Sequence, residues 1–169
     1  MNDSPLSPDE ARAYREAGHA VMARELGLPC HRPDGMPHYQ FATFRDNCRQ
    51  AAQDRELPLV PVRNFVRFQL AGPAAELLRL ERHHGLDRRS AGRNRFRSHW
   101  LRRRQARPDP ALDWAFSIVL GWFTNGRQRN VAHRFEEFWN SALEAYQYPT
   151  LWRAVEQTAT DLLRQSPPR

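Results

Sequence analysis

Arg15, Glu16 and His19 stand in the pattern of an H-E-x-x-H motif whose first position holds arginine. In that motif, two histidines four residues apart lie on one face of a helix and bind Zn²⁺, and the glutamate is the general base for the metal-bound water. Glu16 is therefore the candidate catalytic residue and His19 a candidate metal ligand. Arg15 cannot serve as a ligand, because a guanidinium is a permanent cation with no lone pair to donate. The segment has the framework of a hydrolytic zinc site but lacks one ligand.

The helix that carries this motif is clearly marked in the sequence. Ser7, Pro8 and Glu10 form a capping box with proline at the first helical position, and apolar residues follow at helical spacing. Gly27 is a natural stop. The pattern predicts a helix over 8–26 that packs against the two helices predicted next along the chain.

The rest of the pattern predicts a mainly α fold of about five helices, with a small irregular or β excursion after the first helix. Turn residues crowd 28–61, where 39–44 is the best strand candidate. Pro73 should kink the second helix, Asp109 should cap the third, and 165–169 should be a frayed tail of a single domain spanning 1–169. The helices after the first are predicted over 62–82, 110–124, 128–147 and 150–164.

Three short segments and the two closing helices resemble the FtsH-type ATP-dependent zinc metalloproteases, over roughly residues 7–164. Tyr14–Val21 (YREAGHAV) differs at one motif residue from that family's YHEAGHAV signature, and Leu70–Leu77 (LAGPAAEL) is similar to its LxGxAAE helix. Leu112-Asp113 is similar to the family's ND segment, and the two closing helices are similar to the end of its peptidase domain. The resemblance implies an isolated peptidase-like domain with a degenerate HEAGH motif.

The resemblance also implies a site, in which His19 and Asp113 are metal ligands and Arg15 replaces the third. Two ligands would bind zinc weakly, since catalytic zinc normally has three protein ligands. Without zinc, we expect Arg15 to supply the positive charge by pairing with Asp113 or Glu16. Glu76 is expected to be a structural carboxylate. The chain contains no G-x-x-x-x-G-K-[ST] loop, so we expect no ATP site in it.

The segment 82–107 departs from the family and accounts for the net positive charge of the protein. All 26 basic residues of the protein are arginine, and this segment contains ten of them with one acidic residue, Asp87. Such a composition predicts an Arg-rich loop or insertion that is mobile in solution. Alternatively, it is a basic patch for nucleic acid, made by Arg88, Arg89, Arg93, Arg95, Arg97, Arg102, Arg103 and Arg104.

These observations leave three functions open. The first is a catalytically impaired zinc metallopeptidase-like domain that binds a peptide or protein. The second is an active zinc metalloendopeptidase with an unorthodox ligand set, and the third is a nucleic-acid-associated protein that uses 82–107. No apolar run approaches the ~18 residues of a membrane span. The absence of a signal-like start and the two cysteines predict a cytoplasmic protein. The sequence leaves the oligomeric state open.

Overall fold

A computed structural model describes residues 6–27, 59–123 and 128–165 of the chain. Within these ranges the protein is mainly helical, as predicted, with six α-helices and one π-helical turn, Val119–Phe123. Residues 28–58 of the predicted excursion, including the strand candidate 39–44, lie outside the described residues. Residues 166–169 of the predicted tail also lie outside them. The helices are α1 (Pro8–Glu25), α2 (Leu59–His83), α3 (Arg93–Gln105), α4 (Pro110–Ile118), α5 (Gln128–Ala145) and α6 (Pro149–Gln165).

The helix starts follow the capping residues of the sequence. The Ser7 hydroxyl accepts a hydrogen bond from the backbone N–H of Glu10 at 3.1 Å, which confirms the predicted cap of α1. Asp109 caps α4 in the same way, by accepting from the N–H of Leu112 at 3.4 Å. Local hydrogen bonds therefore set both helix starts, and these are the elements that carry Arg15 and Asp109.

Helix α2 is the centre of the fold. Its side chains are buried almost continuously from Phe68 to Leu78, and it packs against α1, α3, α4 and α5. Pro73 lies inside this helix, where it has no N–H to donate to the carbonyl of Gln69. Helix α1 packs against α2 as predicted, but its other main neighbour is α6 and not α4. Tyr14 of α1 stacks on Trp152 of α6, with ring centroids 6.0 Å apart.

Two glycines allow α1 and α2 to approach closely. A Cβ at Gly18 would lie 2.6 Å from the carbonyl oxygen of Ala71, and a Cβ at Gly72 would lie 2.2 Å from Nε2 of His19. Side chains at these positions would push the helices apart. The hydroxyl of Tyr146, at the end of α5, also reaches this contact and donates to the carbonyl of Gly18 at 2.6 Å. Arg15 and His19 are thus held directly against α2.

The expected loop over 82–107 is wrong for its second half, where residues Arg93–Gln105 form helix α3. Turns occupy the part between α2 and α3. The physical reason for the helix is that α2 carries buried carboxylates, and arginines of α3 supply their counter-charges. Trp100 adds an apolar anchor, since its ring stacks on that of Trp139 in α5 at 5.7 Å. Arginine is also a good helix former.

None of the helices over the described ranges combines the length and the apolar character needed to cross a bilayer.

We predict that Gly72→Ala lowers the free energy of unfolding by about 1–3 kcal/mol, because the new methyl would overlap the His19 ring and come within 2.8 Å of the Arg15 carbonyl oxygen. Urea unfolding followed by circular dichroism measures the change. Gly121→Ala is the matched control, since no atom lies within 4 Å of a Cβ there. Equal stability of the Gly72 variant and the native protein would contradict the close contact.

Candidate functional site

Arg15 joins α1 to α2 and to the start of α4 through two carboxylates. Its Nη1 donates to Oε2 of Glu76 at 3.1 Å, and its Nη2 donates to Oδ1 of Asp109. The carboxylates are almost fully buried, with side-chain exposures of 6% for Glu76 and 3% for Asp109, while that of Arg15 is 22%. One guanidinium therefore bridges two buried anions that lie far apart in the sequence.

A second arginine completes this cluster, which we call the Arg15 network (Arg15, Glu76, Arg104 and Asp109). Arg104 of α3 donates to Oε1 of Glu76, so each oxygen of this carboxylate has its own guanidinium. The guanidinium of Arg104 also lies 5.4 Å from the centre of the Trp100 ring. Two cations and two anions balance one another, which is what burial of charge requires.

Arg15 was predicted to pair with Asp113 or Glu16, and both partners are corrected, since it pairs with Glu76 and Asp109. Asp113, expected as the facing carboxylate and metal ligand, is exposed on α4 and belongs to no ion pair with another described residue. Asp109, one turn earlier, takes that place because the N-cap position turns its side chain inwards over the first turn. Its second oxygen, Oδ2, is buried and has no hydrogen-bond partner among the described residues. The sequence did not indicate Asp109 as a site residue, because its position before Pro110 is already explained by its role as an N-cap.

His19 lies one turn beyond Arg15 on the same helix and is buried. Its Nδ1 lies 2.9 Å from the carbonyl oxygen of Phe68, so Nδ1 carries the hydrogen, since a carbonyl can only accept. Burial, and after it the positive charge of Arg15, lower the pKa of His19 to about 4, against smaller raising effects of the Phe68 carbonyl and Asp109. His19 is therefore neutral near pH 7.

Glu16 lies on a more exposed side of α1. Its Oε1 is 3.8 Å from Nε of Arg12, one turn earlier on the helix, and its side chain is 30% exposed. The three residues of the motif thus have different surroundings: Arg15 reaches the buried carboxylates, His19 packs on α2, and Glu16 approaches Arg12.

The residues around His19 do not fit a zinc ion. Among the ranges 6–27, 59–123 and 128–165, no group of three or more His, Cys, Asp or Glu residues is placed to hold a metal. The guanidinium of Arg15 already contacts both carboxylates beside His19, and it would repel a dication at short range. Catalytic zinc normally has three protein ligands, and here the two carboxylates are the ion-pair partners of Arg15, so the donor set does not fit such a site.

The basic residues of 82–107 fall into two groups. Arg93 and Arg97 both donate to Glu81 of α2, which is 1% exposed, and Arg104 belongs to the Arg15 network. Arg103 is half-buried. The exposed members of the predicted patch are Arg88, Arg89, Arg95 and Arg102. The structure therefore divides the patch, and its ion-paired members, Arg93, Arg97 and Arg104, hold α3 against α2.

A comparison of the chain with protein-family models, with curated proteins and with solved structures finds no match.

We predict that Arg15→Met lowers the free energy of unfolding by about 2–3 kcal/mol, because Asp109 loses its counter-charge while remaining buried. Arg12→Met, on the same helix but exposed, should change it by less than about 0.5 kcal/mol. Chemical denaturation of both variants gives the comparison. Adding Asp109→Asn to Arg15→Met should recover part of the loss. Similar small effects of the Arg15 and Arg12 variants would show that the network contributes no stability.

The pKa of His19 predicts a pH dependence of stability. The folded value of about 4 lies below the ordinary 6.5, so the unfolded chain takes up a proton that folded His19 refuses as the pH falls below 6.5. Unfolding should therefore become easier by roughly 3 kcal/mol from pH 7 to pH 4 through this residue alone.

Urea unfolding of the native protein and of His19→Gln across this pH range isolates the contribution of His19. The slope should shrink in His19→Gln and stay unchanged in the control His133→Gln, whose imidazole is 75% exposed. Titration of the His19 ring by NMR with a midpoint near 6.5 would contradict the prediction.

Proposed function

We propose that the chain is a zinc-metallopeptidase-like domain of the FtsH type that has lost zinc catalysis and acts by binding a protein or peptide. The observation that carries the proposal is the guanidinium of Arg15, which contacts Glu76 and Asp109 beside His19. Arg15 stands where the H-E-x-x-H pattern has its first histidine. The positive charge that a metal ion would bring to these carboxylates comes here from a side chain.

The chemistry of the Arg15 network supports loss of hydrolysis. A guanidinium cannot polarise a water molecule as a Lewis acid does, and it is not deprotonated in proteins, so it cannot act as a base. Glu16, the candidate general base, approaches Arg12 on a more exposed side of α1. Glu16 and His19 thus keep their positions in the H-E-x-x-H pattern, whereas the first metal-binding histidine is replaced by Arg15.

A binding role is supported by aromatic side chains on the outside of α4. Trp114 is 37% exposed and Phe116 is 40% exposed. Aromatic residues are enriched where proteins bind one another, because they combine a large apolar area with few rotatable bonds. A protein or peptide is therefore the partner that we propose for this domain.

Metal analysis and a peptidase assay test the loss of catalysis. We expect the native protein to purify without stoichiometric zinc and to leave casein uncleaved. Stoichiometric zinc would overturn the proposal, as would casein cleavage that a chelator inhibits and Glu16→Gln abolishes. That second result would identify an active metalloendopeptidase with an unorthodox ligand set.

Reversion of position 15 tests the same idea from the opposite direction. Arg15→His should gain zinc binding through the new imidazole, His19 and Asp109, so that added zinc raises its midpoint of thermal unfolding. The native protein should show no such shift. Adding Asp109→Asn should abolish the zinc effect, whereas the matched change Asp113→Asn should leave it intact. A zinc effect that depends on Asp113 would refute the assignment of Asp109.

A further inference from the structure

A cleft of about 470 Å³ lies between the end of α2, the turns that follow it, the start of α3 and the end of α5. Leu78, Leu86 and Tyr146 provide its apolar walls. Four guanidinium-bearing residues also line it, and we call it the arginine cleft (Arg82, Arg88, Arg89 and Arg93). It involves neither His19 nor any residue of the Arg15 network.

Local hydrogen bonds fix the segment that carries Arg88 and Arg89. The N–H of Leu86 donates to the carbonyl of Glu81 at 2.8 Å and that of Gly85 to the carbonyl of Arg82 at 3.0 Å, which is the Schellman pattern of a helix end. Gly85 has the positive φ of 68° that this end requires. The Asp87 carboxylate then accepts from the N–H of Arg89 at 2.8 Å. The cleft therefore has an ordered rim.

The acidic residues of the cleft are already engaged. Glu81 accepts from Arg93 and also from Arg97, and Asp87 accepts hydrogen bonds within its own turn, including one from the hydroxyl of Ser90. Arg88 and Arg89, in contrast, are exposed and form no ion pair with another residue in the described ranges. The cleft thus has an excess of positive charge, and the guanidinium groups of Arg88 and Arg89 can donate hydrogen bonds to a ligand.

Arg82 is held in place on one side of the cleft. Its guanidinium lies 4.0 Å from the centre of the Trp152 ring, and its Nη1 is 3.3 Å from Oε1 of Glu156. Burial lowers the pKa of Arg82, and the neighbouring cations Arg79 and Arg93 act in the same direction, against the raising effects of Glu156 and Tyr14. Arg82 and Arg93 both line the cleft, so an anion bound there would meet two positive charges from this side.

We propose that the arginine cleft binds a small molecule that carries two or more oxyanion groups, either phosphates or carboxylates. Guanidinium groups recognise both through paired, charge-assisted hydrogen bonds. The volume lies within the range of small-molecule sites, and the apolar walls suit the body of an organic ligand. A nucleic acid fits less well, because its backbone would need a continuous row of cations. The exposed arginines of α3, Arg95 and Arg102, do not line the cleft.

Calorimetric titration at constant ionic strength tests the proposal, with inorganic pyrophosphate and citrate as the probes and inorganic phosphate as the single-group comparison. We expect at least one of the two probes to bind saturably and more tightly than inorganic phosphate. Binding of pyrophosphate alone identifies phosphate as the recognised group, and binding of citrate alone identifies carboxylate. If neither probe binds saturably, the proposal is wrong.

Two charge-matched double variants locate the binding. Arg88→Ser with Arg89→Ser should weaken the binding of the probe by about tenfold or more, because two charge-assisted contacts are lost. Arg95→Ser with Arg102→Ser removes the same charge outside the cleft and should leave the affinity within about twofold. Both variants should retain the native circular dichroism spectrum and thermal midpoint, since neither pair contacts the buried glutamates.

Two results of this comparison would overturn the proposal. Equal weakening by both double variants would show a diffuse charge effect in place of a site. Binding of a single-stranded oligonucleotide that both double variants weaken, with no binding of pyrophosphate or citrate, would identify a nucleic-acid surface. Neither result bears on the loss of zinc catalysis, which is tested by the variants at position 15.

Discussion

Burial of two carboxylates on the central helix is the constraint on which the rest of the structure depends. Glu76 and Glu81 lie on α2 with side-chain exposures of 6% and 1%. The other buried residues of this helix are mostly apolar. A buried anion is costly unless it is paired and hydrogen-bonded. Four guanidinium groups meet this requirement, from Arg15 on α1 and from Arg93, Arg97 and Arg104 on α3. The placement of α3 and the orientation of Arg15 follow from it.

Ion pairs of this kind specify an arrangement more than they add stability. Desolvation of both partners offsets much of their attraction, so a well-packed apolar substitute is often as stable. Their geometry, however, is restrictive: Arg15 must reach Glu76 and Asp109 together, and only a planar guanidinium presents two forks of donors for this. A lysine at position 15 would be a single point charge with one nitrogen. Arginine is therefore the residue that fits this position, and the same argument applies to Arg97, whose Nε and Nη2 both donate to Glu81.

Local signals in the sequence predicted most helices. The features that were not predicted depend on contacts between helices. The caps at Ser7 and Asp109 and the apolar spacing predicted five helices whose starts lie within three residues of the observed ones, although the one predicted over 110–124 is an α-helix only to Ile118 and continues as the π-helical turn. Helix α3 was missed because its arginines suggest a solvated loop. The available signal was the pair Glu76 and Glu81 inside an apolar stretch, opposite arginines at 93, 97 and 104 that share a helix face with Trp100. The choice of Asp109 over Asp113 depends on how α4 meets α1, which no local pattern contains.

The double role of Asp109 couples two distant parts of the chain. The same oxygen, Oδ1, accepts from the N–H of Leu112 and from the guanidinium of Arg15, 94 residues away in the sequence. The first turn of α4 is therefore ordered by a contact with α1 as well as by its own cap. Fraying of this turn and separation of α1 from α4 become one event, so the amide of Leu112 should exchange its hydrogen with solvent through the same opening that releases Arg15. A helix start, ordinarily the most local feature of a fold, here reports on long-range order.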